Sequence, residues 1–277
     1  MNSTDTQPIV SVIMPCYNKQ AYIEEALASV ERQTYPHWEL VLVDDGSPDD
    51  TLGTALRYIA AHRWPQEKAI TLRQQNQGPS AARNAGIRLS HGKYILPLDP
   101  DDTIAPTYLE KAVGVLEASP DTALVYCLCD GVTSAPYSFD SLLWFNMIHN
   151  SALYRRADYD RTPGYNPNMR QGLEDWDFYL SLLGRDSRVV RLDEPLYYWR
   201  PLPQQRTTNA DAHERELMRQ IYSNHPQLYA PYVADIVFYH ERWTHSAAAL
   251  DKVRRSHAYR LGKSLLKPLQ WLRRKRD

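Results

Sequence analysis

The sequence predicts an α/β protein: an open, mostly parallel sheet with helices on both faces. Two observations carry this prediction. Short apolar runs alternate with stretches of helical spacing in the order β-α-β-α-β-α-β-α-β over the first half of the chain. Three of the apolar runs end abruptly in polar clusters, at Pro15–Asn18, Asp44–Ser47 and Asp99–Asp102. In sheets of this kind ligands bind outside the carboxyl ends of the strands, so the clusters should gather on one edge. A structural protein has no reason to place polar clusters after three successive strands, and the pattern therefore predicts a nucleotide-type site.

The elements follow in order. Ile9 to Met14 is a β-branched run ended by Pro15 and reads as a buried strand. Tyr22, Ile23, Ala26, Leu27 and Val30 recur at helical spacing, giving a helix over roughly 19–34. Glu39 to Val43 is the second strand. Gly46 and Pro48 turn the chain, and Ser47 or Asp49 can cap a helix over about 50–62. Ile70 to Arg73 is a short third strand, and Pro79 suits the first turn of a helix running to about Leu89. Lys93 to Leu98 is the fourth strand, followed by a helix at about 106–118 and a strand at about 122–128.

The second half is less regular. Ser134 to Asp160 is loop-rich, and Arg161 to Gly172, with two Pro and two Gly, reads as a long loop. Leu173 to Leu180 opens a helix whose acids, Glu174, Asp175 and Asp177, lie in the first turn, where the dipole favours them. Val189 to Leu192 and Tyr197 to Arg200 read as two edge strands, and from about residue 210 the chain is helical and polar. The domain reading is 1–209, with a regular half at about 8–130 and a less regular half at about 131–209, followed by a helical extension at 210–277.

The bulk numbers exclude several classes. With 43% hydrophobic and 23% charged residues the chain is not disordered. Cys16, Cys127 and Cys129 make neither a metal-ligand spacing nor a disulfide framework, and suit a reducing compartment. No signal peptide is legible at the N-terminus and no apolar stretch reaches 18 residues, so the expected location is cytoplasmic.

Ile95 to Asp102 carries the sharpest chemistry. The run Leu98-Asp99-Pro100-Asp101-Asp102 delivers three carboxylates within four residues. A buried strand cannot keep three unpaired charges, so the chain must surface there. Asp-x-Asp at a strand end is a plausible ligand for Mg²⁺ or Mn²⁺, which prefer oxygen and share their shell with substrate phosphates. An Asp-rich turn bent by Pro100 explains the same residues, and both readings stand on this stretch alone.

Five segments in order carry a resemblance. They are Val10–Asn18, Val43–Ser47, Asn76–Gly86, Leu98–Asp102 and Gly172–Asp177. Together they resemble glycosyltransferase family 2, inverting enzymes of the GT-A, Rossmann-like fold, over roughly residues 8–205. The resemblance implies a nucleotide-sugar donor, a divalent cation (Mg²⁺ or Mn²⁺) and a hydroxyl acceptor on a glycan or lipid-linked chain. It places the donor near Pro15, Tyr17, Asn18, Asp45 and Gly78, with Asp45 accepting from the imino group of uracil or thymine. Arg83 and Asn84 are implied donor-side residues, Arg83 either positioning phosphate or holding the aspartate loop. Asp101 matches the metal-binding aspartate, Asp99 meets the ribose or the metal's water shell, and Asp102 is the weakest of the three. Asp175 matches the general base and Glu174 is its fallback. A base alone suffices because the leaving group is a nucleoside diphosphate whose charge a cation neutralises.

The resemblance is incomplete. Many relatives carry a His after the late Tyr-Arg segment, and here the stretch from Tyr198 to Arg206 holds none. Arg200, Gln205 and Arg206 are the candidates for that contact. His149 lies near the acceptor region and reads as a packing residue. A sugar-nucleotide nucleotidyltransferase would need a Gly-rich loop with Arg and Lys after the first strand, which Met14 to Asn18 is not. A non-catalytic nucleotide-sugar-binding module would have lost Asp101 or Asp175, and both are present.

The tail has its own chemistry. Residues 252–277 hold ten Lys/Arg against Asp277, leaving +9 there and −10 elsewhere in a chain of net charge −1. Leu261, Leu265, Leu269 and Leu272 recur at three- and four-residue steps with Trp271 beside them. A basic amphipathic segment with Trp is the pattern of an interfacial helix, so an anionic membrane surface is the expected partner and a peripheral place on the inner membrane's cytoplasmic face follows. A solvated helix and docking against the body explain the pattern too. No nucleic-acid-binding module supports a nucleic-acid reading.

Overall fold

The computed structural model describes residues 10–131, 136–202 and 213–256. The first half alternates as expected: β1 (Val10–Cys16), α1 (Ile23–Glu31), β2 (Trp38–Asp44), α2 (Thr51–Ala61), β3 (Ala69–Arg73), α3 (Pro79–Leu89), β4 (Tyr94–Pro97), β5 (Thr103–Ile104), α4 (Tyr108–Ala118) and β6 (Thr122–Cys129). Then come α5 (Phe139–Leu142), β7 (Leu153–Arg155), α6 (Arg156–Tyr159), α7 (Glu174–Leu182), β8 (Arg188–Tyr198) and α8 (Glu214–Asn224). The eight strands form one sheet in the order β3-β2-β1-β4-β7-β6-β8-β5. The pairs β3·β2, β2·β1, β1·β4 and β6·β8 are parallel, and β4·β7, β7·β6 and β8·β5 are antiparallel.

Every residue of β1 and β2 is buried, because helices cover both faces. Val10, Val12, Met14, Leu40 and Leu42 share a core with α1 and α4. Ile13, Val41 and Val43 lie under α3, whose Gly86 allows the close approach: a Cβ there would stand 2.8 Å from Ile13 Cγ2 and 3.2 Å from Val43 Cγ2. This pulls α3, and Arg83 with it, against the strand ends that carry the site.

The structure differs from the sequence reading in four places. β1 runs through Pro15 to Cys16 rather than stopping at Met14. Its pairing with β4 ends at Ile13↔Pro97, so Pro15 sits where the strand has only β2 as a neighbour and its missing N–H breaks no ladder. The helix expected over 19–34 is confined to Ile23–Glu31. The two expected edge strands are one strand, β8, lying between β6 and β5. Asp193, Glu194 and Pro195 interrupt its apolar pattern, and register shifts between Cys127 and Cys129 absorb them. β5 and β7, two and three residues long, had no periodicity to read.

Two compact units divide between His225 and Pro226. The first includes α8, past the boundary read at residue 209. Leu217 and Ile221 of α8 are buried, and its end is tied to α7: Asn224 Nδ2 donates to Asp177 Oδ1 at 2.6 Å, and His225 Nε2 lies 3.0 Å from the same oxygen. Asp177 thus serves as an anchor for α8. The second unit contains α9 (Pro226–Tyr229) and α10 (Val233–Arg255), a 23-residue helix with no buried residue. Among the described residues no helix is long and apolar enough to cross a membrane.

Candidate active site

The three strand ends do meet. A cleft of about 550 Å³ is lined by Pro15 near the end of β1 and Tyr17, Asn18 and Lys19 after it, by Asp45 after β2, by Asn76–Gly78 before α3 and Pro79 at its head, and by Asp99–Asp102 after β4. Arg170 and Trp199 complete its walls.

Asp45 is buried, and its backbone N–H donates to Cys16 O at 2.8 Å. Its Oδ1 accepts from Gln74 Nε2 at 2.7 Å and from the Gln77 N–H at 2.9 Å, and its Oδ2 accepts from the Gly78 N–H at 2.8 Å. One carboxylate therefore ties β2 to the Gln74–Gly78 loop and shapes the cleft floor. Oδ2, with one bond, keeps acceptor capacity for a ligand. Gly78 has φ +90°, a conformation that side chains rarely adopt, and leads directly into Pro79 at the head of α3.

The three aspartates of the Leu98–Asp102 run have three different surroundings. Asp99 Oδ1 accepts from Arg83 Nη2 at 2.7 Å. Asp101 Oδ2 pairs with Lys19 Nζ at 2.6 Å. Asp102 is buried and faces the chain after β8: Tyr197 Oη donates to its Oδ2, and the Arg200 N–H donates to its Oδ1 at 2.9 Å. Burial, and then the charge of Asp99, push the Asp102 carboxyl up to about 7. Asp102 is thus spent on holding the Tyr197–Arg200 segment.

Arg83 joins the two halves of the site. It is fully buried, donating from Nη2 to Asp99 and from Nη1 to Glu174 Oε1 at 2.7 Å. Burial alone would lower its pKa, yet Asp99 and Glu174 hold it well above the usual value. It does not line the cleft, and it fixes the start of α7 beside the end of β4. Leu173, in the left-handed conformation at φ +59°, turns the chain into α7.

Asp175, next on that helix, is half-buried. Its Oδ2 accepts from Asn146 Nδ2 at 3.1 Å and its Oδ1 from the Trp176 N–H at 2.8 Å. Burial, followed by the neighbouring Glu174, pushes its pKa up to about 6. Glu174 is occupied by Arg83, which separates the two acids by role.

Asn84 lies outside the cleft lining. Its Nδ2 donates to Tyr165 O at 2.7 Å and its Oδ1 accepts from the Tyr165 N–H and from Tyr159 Oη, both at 2.9 Å. Arg200 clamps the aspartate loop from outside, with Nε donating to Asp101 O at 3.1 Å and Nη2 paired to Glu25. Gln205 and Arg206 lie outside the described residues. His149 packs as read: it stacks on Tyr197 at 4.4 Å, its Nε2 lies 3.0 Å from Cys127 O, and burial pushes it down to about 4. Burial also raises the thiols of Cys16, Cys127 and Cys129, which keeps them protonated. Lys19, Arg170, Trp199 and Asn146 were missed, because only the tertiary fold brings them to the site.

A hard cation fits this donor set in one way. Among the described residues no three His, Cys, Asp or Glu side chains form a ready cage. Asp101 and Asp99 present carboxylate oxygens on one wall of a cleft large enough for a nucleotide. One or two carboxylates completed by substrate phosphates and water is the arrangement Mg²⁺ adopts at phosphate sites.

The comparisons agree with this geometry. The profile named "Glycosyl transferase family 2" matches residues 11–175. A chondroitin synthase of Escherichia coli is 30% identical over 186 residues, covering 63% of this chain and 26% of that one, so this chain spans about a quarter of that relative's length. Staphylococcus aureus TarS (residues 1–349), solved with UDP-GlcNAc, superposes with a TM-score of 0.61 at 24% identity, over 78% of this chain and 66% of that one. A mannosyltransferase from Pyrobaculum calidifontis, solved with GDP-Man and Mn²⁺, gives 0.60 at 21% identity over 93% and 84%. The fold is that of GT-A enzymes. With its strand-end cleft and the family profile covering more than half its length, the chain belongs to glycosyl transferase family 2.

Proposed function

We propose that this glycosyltransferase moves a sugar, with inversion, from a UDP- or dTDP-linked donor to a hydroxyl of a glycan or lipid-linked acceptor, in surface polysaccharide or lipopolysaccharide synthesis. The observation that supports the reading is the chain Asp99–Arg83–Glu174, which ties the residue before Asp175, a carboxylate of raised pKa, to an aspartate of the cleft wall.

In this reading the nucleobase stacks on Tyr17, which is 48% exposed at the cleft wall, and bonds Asp45 Oδ2. Asp101, with Asp99, would hold a divalent cation, which would supply positive charge beside the leaving diphosphate. Asp175 accepts the acceptor hydroxyl's proton. A base near pH 6 is ionised at neutral pH yet basic enough to take a proton in the transition state. Asn146 and the Trp176 N–H orient its two oxygens. Glu174 is the poorer candidate because Arg83 holds it. A glycan acceptor is supported by the likeness to a chondroitin synthase. The basic residues from Lys252 onward, of which Lys252, Arg254 and Arg255 are exposed on the last turn of α10, would bring the enzyme to an anionic cytoplasmic membrane face.

A thermal-shift screen of sugar nucleotides with and without Mg²⁺ or Mn²⁺ tests the reading. Ligand at about 100 times its Kd stabilises by about 2.7 kcal/mol, enough to raise Tm by several degrees. A UDP- or dTDP-sugar should do so only with cation. A Tm unmoved by every sugar nucleotide would overturn the proposal.

A further inference from the structure

We propose that Arg170 binds the diphosphate of the donor. This rests on the nucleotide-sugar reading above.

The charges around the cleft single it out. Each lining carboxylate is already engaged: Asp45 by three N–H donors, Asp99 by Arg83, Asp101 by Lys19, and Asp102 by Tyr197 and the Arg200 N–H. Among the described residues two basic side chains line the cleft, and Lys19 is paired. The Arg170 guanidinium is exposed and has no carboxylate partner among the described residues. Arg200, the one of the three sequence candidates that lies among the described residues, points its guanidinium at Asp101 O and Glu25 instead. A planar fork of donors facing a cleft, without a built-in counter-charge, suits bidentate binding of phosphate.

The backbone that carries Arg170 is fixed on both sides. Upstream, Asn84 bonds both the N–H and the C=O of Tyr165, and Gly164, at φ +79°, packs so closely that a Cβ would stand 2.8 Å from Asn84 Oδ1. Asn168 bonds Asn224 at 3.0 Å and the Met169 side chain is buried. Downstream, the chain enters α7, held by Arg83. The tethered backbone limits the ordering cost of binding to that of the Arg170 side chain itself. Asn84 thereby acquires a role as a positioning residue for the Arg170 loop, without touching the donor.

Calorimetry with Mg²⁺ tests this on wild type, Arg170→Ala and Arg170→Lys, using UDP, uridine and pyrophosphate. Arg170→Ala should bind UDP about 10- to 100-fold more weakly and uridine within about 2-fold of wild type, and Arg170→Lys should recover part of the loss. Because the side chain is exposed, Tm should stay within about 2 °C of wild type. A UDP loss below about 2-fold, or equal losses for UDP and uridine, would overturn the assignment. If wild type ignores UDP yet binds pyrophosphate in an Arg170-dependent way, the donor reading falls and the Arg170 site stands. Wild type binding neither would overturn both.

Discussion

At the residue scale, Asp175 and Glu174 show how neighbouring acids come to differ. Glu174 faces Arg83 and is buried in an ion pair, while Asp175 is half-buried, bonded by two neutral N–H donors and left with a raised pKa. Asp175→Asn should keep donor affinity and lose about 10²- to 10⁴-fold in turnover, and near-normal turnover would rule it out as the base. Turnover by the native enzyme should fall as pH drops through about 6, since the base must be ionised. The stability sign is opposite. A carboxyl whose folded pKa is raised contributes stability that is full below its unfolded pKa, about 3.9, and is lost as pH rises through the folded value. Asp175→Asn should therefore melt higher than wild type at pH 7.5 by a margin that shrinks toward pH 4. A margin independent of pH would show that the carboxylate's ionisation carries no cost in the fold.

At the element scale the site depends on α3 and α7 meeting the end of β4. Gly86 brings α3 down onto β1 and β2, and Arg83, one turn earlier, reaches both Asp99 and Glu174. Arg83→Met would leave two carboxylates facing each other without a cation, at a cost of about 3–5 kcal/mol in urea denaturation. A loss under about 1 kcal/mol would mean that the Asp99–Glu174 link does not hold these elements. Much at this scale was legible in the sequence. α3 begins at Pro79 and ends at Leu89 as read, because Pro fits the first turn, and β2, β3 and α2 fall within one residue of expectation apart from terminal extensions. β8 was read as two strands because Asp193, Glu194 and Pro195 mimic a break, which only the bulge against β6 explains. The side-chain partners of Arg83 and Asn84 were not legible, since their partners lie 16 to 91 and 75 to 81 residues away.

At the scale of the whole molecule, the placement of the site followed from topology. Polar clusters after β1, β2 and β4 had to share an edge because these strands are parallel neighbours, and they do. The aspartates' unlike surroundings did not follow, because Lys19, Arg83 and Tyr197 reach them from different elements. The buried core up to Ile221 belongs to the first unit, and the residues of α10 are exposed. Truncation after His225 should keep a cooperative melt and donor binding, and loss of folding would mean that the second unit supplies core. Deleting 252–277 should release the protein from anionic liposomes, and equal co-sedimentation of both forms would remove the tail's proposed role. The central claim is that a nucleoside diphosphate enters the strand-end cleft together with a cation held by Asp101. The most direct measurement is UDP affinity with and without Mn²⁺ for wild type and Asp101→Ala. The account predicts that Mn²⁺ tightens UDP binding to wild type by about 10-fold or more and leaves the variant unchanged. An equal Mn²⁺ effect in both proteins would contradict it.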